Sequence, residues 1–382
     1  MSAKTKLFGL LPLFFMAIKA FSGDIVVVPD ENLEKARILG NHIEESIENN
    51  NPSFINTIFN LDKFLEKAVP APKNELESAF YEGFTGEFQK SFDLGISITN
   101  EIGIDGKYTF LNAYGMNGNY YLIFRMLSQQ TVNYHEYRLE MVDQEFSIID
   151  IYNYYTGSDM SDILGRVYHG GILYITAKNP VETQELKSIV KLNHISELVS
   201  SGKYSKAMKQ WNKIPVSIRN EKIYLSEGLK IAKFLDEESF EEMYNLYCTN
   251  FPDEGGKYLI ALEALSYQHK IQEAMACVEK LDVYLHSDPM LNLIRANLHY
   301  ELGDKVASIE CLKKLLSTNP DYELGYISLL GIYLEEKKYV DATLLLDQIV
   351  YIFNSYKEDL QPILVEYPEF LDSAEYTDWY KE

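Results

Sequence analysis

The chain reads as an α+β amino-terminal domain, with helices on a curved antiparallel sheet, followed by an all-α solenoid of helical hairpins. Three observations predict this. Ala207, Phe240, Ala274, Ser308 and Ala342 follow one another at steps of 33, 34, 34 and 34 residues, a period that belongs to a repeated helical hairpin. Upstream, at Gly103, the spacing of apolar residues changes from a helical 3.6 to the strand period of 2. Just after that change, Asn117-Gly118 stands between two β-rich runs, where it is a strong two-residue hairpin signal.

In chain order, residues 1–22 have the layout of a secretory signal peptide. Lys4 and Lys6 supply the basic start, Leu7 to Ile18 the apolar run, and Ala20-Phe21-Ser22 the small-residue cleavage site. The run is short for a bilayer span; Lys19, sitting late, leaves an uncleaved anchor as the other reading. Residues 23–180 form the α+β domain. Asp30 or Asn32 caps a helix carrying Leu33, Ala36, Ile43 and Ile47, which ends at Asn49-Asn50-Asn51-Pro52. Ser53 opens a second helix with Phe54, Ile58, Leu61 and Leu65, closed by Pro70 and Pro72. A third is expected from about Glu75 to Asn100, with Phe80, Phe84, Phe88 and Phe92 at four-residue steps and Gly83, Gly86 and Gly95 as places of close approach. Strands are expected over Lys107 to Tyr114, Tyr120 to Ser128, Asn133 to Met141 and Phe146 to Tyr155, and their short links demand a meander. A short helix from Asp159 to Val167 then precedes Ile172 to Ala177, a fifth strand or the first connector.

Residues 185–355 hold five hairpins. Second helices carry bulky residues four places after each alignment point (Trp211, Tyr244, Val278, Leu312, Leu346) and again three further on (Ile214, Tyr247, Leu281, Leu315, Ile349). Gly202 and Gly303 mark turns, and Pro252 and Pro320 stop second helices. The pattern of small residue, turn glycine, aromatic and closing proline resembles the tetratricopeptide repeat. It departs from that family at Phe240, which replaces a small residue and is expected to press its helices apart at a cost of about 1–3 kcal/mol; at Lys191 and Asn292; and at His286, which replaces a closing proline. The resemblance implies a groove lined by first helices. The positions where chaperone-clamping members of that family carry lysine are Leu192, Leu225, Leu259, Leu293 and Ile327 here, and only Asn297 matches the clamp asparagine. An apolar groove rimmed by Glu263, Glu301 and Glu335, with Tyr300 beside Asn297, suits an amphipathic or basic peptide, or the protein's own amino-terminal domain. Residues 356–382, with Leu360, Leu364, Phe370, Trp379 and Tyr380, are expected to cap the last hairpin; a separate docking helix is the alternative.

Helices followed by a meander, with the aromatic third helix and the closing Ile148-Ile149-Asp150-Ile151-Tyr152 run, resemble the cone fold of the nuclear transport factor 2-like superfamily. That resemblance is one of layout, and function cannot be carried across it. It implies an interior that Phe84, Phe88, Phe124 and Tyr137 would line, as in a carrier of lipid or another apolar small molecule. Arg125, His135 and Asp150 lie on three neighbouring strands and would serve as acid, base or ligand-orienting groups if they converged. The alternatives are a satisfied ion pair or outward-facing side chains, because the register is not fixed by sequence.

Composition narrows the function classes. With 57 acidic against 35 basic residues, a formal charge of −22 repels phosphate backbones and excludes nucleic acid as a favoured partner. Cys248, Cys277 and Cys311 are odd in number and widely spaced, so they read as free thiols. His135-Glu136 begins like a zinc-protease motif, but Leu139 stands where its second histidine belongs. No cofactor or metal is expected. The expectation is an exported, periplasmic or extracellular, non-enzymatic scaffold or adaptor that binds a protein or peptide through the repeat groove; a lipid carrier comes second and an enzyme using Arg125, His135 and Asp150 third.

Overall fold

The computed structural model describes residues 30–103, 106–128, 132–176, 184–252 and 254–381; the signal-peptide reading falls outside them. Among the described residues, an α+β region with a five-stranded antiparallel sheet is followed by an all-helical region, and no helix is long and apolar enough to cross a membrane.

The first helix, α1 (Glu31–Glu48), starts where Asp30 accepts hydrogen bonds from the amides of Asn32 and Leu33. The expected second helix is two, α2 (Ser53–Ile58) and α3 (Leu61–Ala68). Phe59 leaves the helix to bridge Ile148 of the sheet, and Asn60 caps the restart through the Lys63 amide. The expected third helix also divides, into α4 (Glu75–Ser91) and α5 (Leu94–Ile102), because Asp93 caps a new start. Of the three glycines expected at close contacts, only Gly95 is at one: a Cβ there would lie 1.9 Å from the Pro52 carbonyl oxygen, whereas Gly83 and Gly86 face open space.

Strands β1 (Lys107–Met116), β2 (Asn119–Leu127), β3 (Val132–Val142), β4 (Glu145–Asn153) and β5 (Ser158–Asp159) pair in sequence order. Asn117 and Gly118 have φ of 52° and 80°, and Asp143 and Gln144 have 49° and 70°, the left-handed conformations that tight hairpins with the native strand twist require. Beyond β5 the short helix expected to stop at Val167 runs on as α6 (Met160–Thr176), so Ile172 is neither strand nor connector. Gly171 stays inside it because a Cβ there would strike the ring of Phe80 at 2.1 Å.

The helical region is built from α7 (Gln184–Ser200), α8 (Tyr204–Trp211), α9 (Val216–Arg219), α10 (Lys222–Ala232), α11 (Glu237–Asn250), α12 (Gly256–Tyr267), α13 (Ile271–Tyr284), α14 (Leu291–Glu301), α15 (Lys305–Thr318), α16 (Glu323–Glu335) and α17 (Tyr339–Phe353). Successive helices pack on one another. The aligned small positions Ala207, Ala274, Ser308 and Ala342 are buried, and so is Phe240, whose ring stacks on Tyr244 at 5.7 Å. The turns repeat as well: Gly202, His269, Gly303 and Lys337 occupy corresponding positions with φ of 67°, 56°, 76° and 54°. After α17, Leu360, Leu364, Phe370 and Trp379 are buried in one cluster with Leu346 and Ile349, and the Trp379 indole donates to Asp347 at 2.7 Å.

Candidate functional site

The sheet has two working faces, and alternation along each strand decides which side chain serves which face. Opposed residues share a face, so Phe124 with His135, Leu122 with Tyr137, and Tyr137 with Ile151 lie on one side, whereas Arg125 with Tyr134, Ile123 with Glu136, and Glu136 with Tyr152 lie on the other.

The first side packs against α1–α6. Phe124 and Tyr137 are fully buried; the Phe124 ring stacks on Tyr108 at 4.9 Å and meets Tyr137 edge-on at 5.3 Å. The hydroxyls of Tyr108 and Tyr137 bond to each other, and Tyr108 also meets His135 Nδ1 at 3.1 Å. Asn153 meets His135 Nε2 at 3.2 Å. Burial lowers the His135 pKa to about 4, so the ring is neutral at ordinary pH. Phe84 and Phe88 sit outside this layer, half-buried between helices: Phe84 against Phe80 and Tyr168, Phe88 against Phe64 and Phe92. The four apolar side chains expected to line a cavity are therefore divided between a filled core and an interhelical seam.

The second side packs against the hairpins. Arg125 and Asp288 form a buried ion pair at 2.5 Å, and Tyr134 donates to the other oxygen of Asp288 at 2.9 Å. The Tyr114 ring packs against that of His286 in a tilted arrangement, with centroids 4.5 Å apart. The Gly256 amide donates to the Tyr152 hydroxyl at 3.3 Å, and Tyr247 donates to the Gly157 carbonyl at the same distance. Tyr154 donates to Glu136 at 3.1 Å; burial raises the Glu136 pKa, against the pull of the Tyr154 and Tyr114 hydroxyls. Lys107 pairs with Asp321. The closeness demands glycine, since a Cβ on Gly256 would lie 2.6 Å from the Tyr154 carbonyl oxygen and one on Gly255 would lie 2.9 Å from the Tyr154 ring.

Arg125, His135 and Asp150 consequently do not converge. Arg125 crosses to the hairpins and His135 faces the opposite way. Asp150 is held at the sheet edge by Lys67, the Ser161 hydroxyl at 2.6 Å and the Ser161 amide at 3.1 Å. Each has its own structural partner, although the buried Arg125 Nε is left without one, and this separation removes the basis for an acid–base set.

The expected groove residues also divide. Leu225 is fully buried. Leu192 and Leu259 are half-buried against the cluster that holds Ile123, Tyr134 and Tyr154 of the sheet. Leu293 and Ile327 are half-buried in the next cluster, where Leu127 of β2 also packs. The amino-terminal halves of the first helices thus lie in clusters shared with the chain's own sheet. Further along those helices Asn297 is exposed and Tyr300 is 39% exposed. The acids there are engaged: Glu335 accepts from Tyr300 at 2.7 Å and pairs with Lys305 at 3.1 Å, and Glu301 lies 3.5 Å from His269. Glu263 lies in α12, and its side chain is outside the described set.

Sequence reasoning missed Asp288, Gly255 and Gly256, and read Tyr247 only as a packing position of its helix, not as a donor to Gly157. The available signal was the departure at His286, where a closing proline gives way to His286-Ser287-Asp288. Among the described residues no group of three or more His, Cys, Asp or Glu side chains is placed to hold a metal ion, and the three cysteines are free thiols. No family model matches the chain, and no curated protein matches it either.

Proposed function

We propose that this protein is an exported, non-enzymatic adaptor whose tetratricopeptide-like array binds an amphipathic, basic-flanked protein segment on its last two hairpins. The observation that carries the reading is a cleft of about 400 Å³ between α15 and α17, floored by Tyr326, Leu329 and Tyr333 of α16, walled by Leu316, Leu344 and Leu345, and edged by the polar side chains of Lys313, Ser317, Asp341 and Gln348. The capping tail leaves this surface open: Leu344 is 59% exposed, and Val340 and Tyr351 on the same helix are more so. A groove of this kind accepts the apolar side of a helix, with anchors at helical spacing. Basic flanks follow from the formal charge of −22, which raises the encounter rate of a cationic partner. Relative to the sequence expectation, the contact surface moves from the inner groove, where the sheet already packs, to this outer cleft. A lipid carrier gains nothing from Phe124 and Tyr137, which pack against each other.

The test is affinity capture from the native envelope with wild type, Leu344→Asp and the control Glu238→Lys, followed by titration of a synthetic peptide from the captured protein. Leu344→Asp should weaken the peptide at least tenfold and Glu238→Lys should not. Equal affinity for all three would reject the cleft.

A further inference from the structure

The helical layer of the amino-terminal region is interrupted by a trough. Its wider end, of about 620 Å³, is walled by Ile38 and Leu39 of α1, by Phe54 and Ile58 of α2, and by Phe146 just past the β3–β4 turn. A narrower end, of about 270 Å³, runs on along α1 past Glu45, Ser46 and Asn49, with Asn51 opposite. His42 and Phe54 border both ends, which join there. At about 1.5 Å of rise per residue, the fourteen steps from Lys35 to Asn49 make the trough roughly 21 Å long, about four turns of helix.

Shape and charge together name an occupant. The α1 wall is open from end to end: Ile38 is 48% exposed, and His42, Glu45 and Asn49 are exposed as well. A pocket for a small apolar ligand closes over most of that ligand's surface, whereas an open apolar channel between two helices and a turn takes the apolar side of another helix, with anchors at i, i+4 and i+7. The ends of the channel are acidic. Asp143 and Glu145 stand at the wide end and Glu45 at the narrow one, all three exposed and none in an ion pair among the described residues. Against these three carboxylates stands Lys35, whose amine is already engaged with the Gln144 carbonyl at 3.3 Å. We infer that this trough docks an amphipathic helix of about four turns from another protein, apolar on one side and carrying lysine or arginine near both ends, where the unpaired carboxylates meet it. The inference stands on this trough alone and not on the cleft between α15 and α17; with both, one chain holds two segments at once, which is what bridging by an adaptor requires.

The test uses the intact protein and a dye-labelled peptide of about four helical turns, with leucines at i, i+4, i+7 and i+11 and lysines at both ends, beside a twin that ends in glutamates. Wild type should bind two lysine-ended peptides, Ile38→Asp and Leu344→Asp one each, and the double variant none. Ile38 is half exposed, so Ile38→Asp should melt like wild type, and Ile38→Ala should weaken binding in the same direction by less. With Leu344→Asp as the background, the glutamate-ended twin should bind the trough at least about tenfold more weakly than the lysine-ended peptide. Asp143→Asn/Glu145→Gln should narrow that gap, and so should added salt. If Ile38→Asp does not change binding to the Leu344→Asp protein, or if both peptides bind it equally, the inference falls. Loss of binding through Ile38→Asp alone, with Leu344→Asp silent, removes the α15–α17 reading and keeps this one; the reverse pattern keeps that reading and removes this one. A lipid found by native mass spectrometry in wild type and lost from Ile38→Asp assigns the trough to an apolar small molecule and also overturns the inference.

Discussion

The two faces of one sheet solve the burial problem differently. Toward α1–α6 the sheet presents Leu122, Phe124, Met126, Tyr137 and Ile151, and polar groups there, among them the hydroxyls of Tyr108 and Tyr137 with His135 and Asn153, bond to one another. Toward the hairpins it presents tyrosines and charges, and their partners lie on the other region: Asp288 for Arg125 and Tyr134, His286 for Tyr114, Gly256 for Tyr152. The first face is a core in the ordinary sense. The second is a core whose polar groups find these partners only when both regions are folded, so specificity there rests on pairing and not on apolar area alone. Strand alternation lets a single sheet do both.

Breaking the second face should have the largest effect. Asp288→Ala strands the Arg125 guanidinium in a buried site, and denaturant unfolding should show a loss of about 3–5 kcal/mol. The double replacement Arg125→Met/Asp288→Leu should recover most of it; equal damage from both would mean that the pair does more than neutralise itself.

The first face responds to pH. His135 is held at a pKa of about 4, below its ordinary value of 6.5. A histidine whose folded pKa is lowered keeps its stability above 6.5 and loses it as pH falls toward 4, because the unfolded chain takes up the proton first. The loss is about 3 kcal/mol by pH 4 at 1.36 kcal/mol per unit. Glu136, on the other face, has a raised pKa and acts in the opposite sense, contributing most at low pH and less as pH rises through its folded value. His135→Gln should therefore flatten the acid limb between pH 6.5 and 4; an unaltered slope would show that the ring is not the group that titrates.

Smaller effects sharpen the picture. Gly256→Ala, placed against the Tyr154 carbonyl and the Tyr152 hydroxyl, should cost about 1–3 kcal/mol by thermal unfolding, whereas Gly83→Ala, which meets nothing, should be neutral or slightly stabilising. Within the hairpins, His269 and Lys337 hold the left-handed turn that Gly202 and Gly303 hold elsewhere. His269→Gly or Lys337→Gly should add up to about 1 kcal/mol, by relieving a conformation that side chains disfavour; a loss would mean that the His269–Glu301 or Lys337–Glu369 contact outweighs the strain.

The hairpins were legible because their buried positions recur: Ala207, Trp211 and Ile214 have counterparts at nearly every 34-residue step, and all but half-buried Tyr244 are buried. The strands were legible within one or two residues because the Asn117-Gly118 and Asp143-Gln144 turns fix their ends. Two helix breaks were missed although Asn60 and Asp93 are good caps, since the aromatic four-residue run and the Phe54–Leu65 spacing continue a helical pattern across them. The joint between the regions was not legible at all. The two-residue turns fix β1 on β2 and β3 on β4, but nothing local sets β2 against β3, so the side to which Arg125 points was undetermined. Its partner is a hundred and sixty-three positions away.

That separation bears on how the chain assembles. As it is made, strands β1 to β4 are complete well before Gly256 and Asp288 exist, leaving Tyr114, Tyr134, Tyr152 and Tyr154 with one side bare. Closing so long a loop is slow compared with making a hairpin, so docking is expected to be the last event, and until then the bare tyrosines are what a chaperone would cover or a neighbouring copy would stick to.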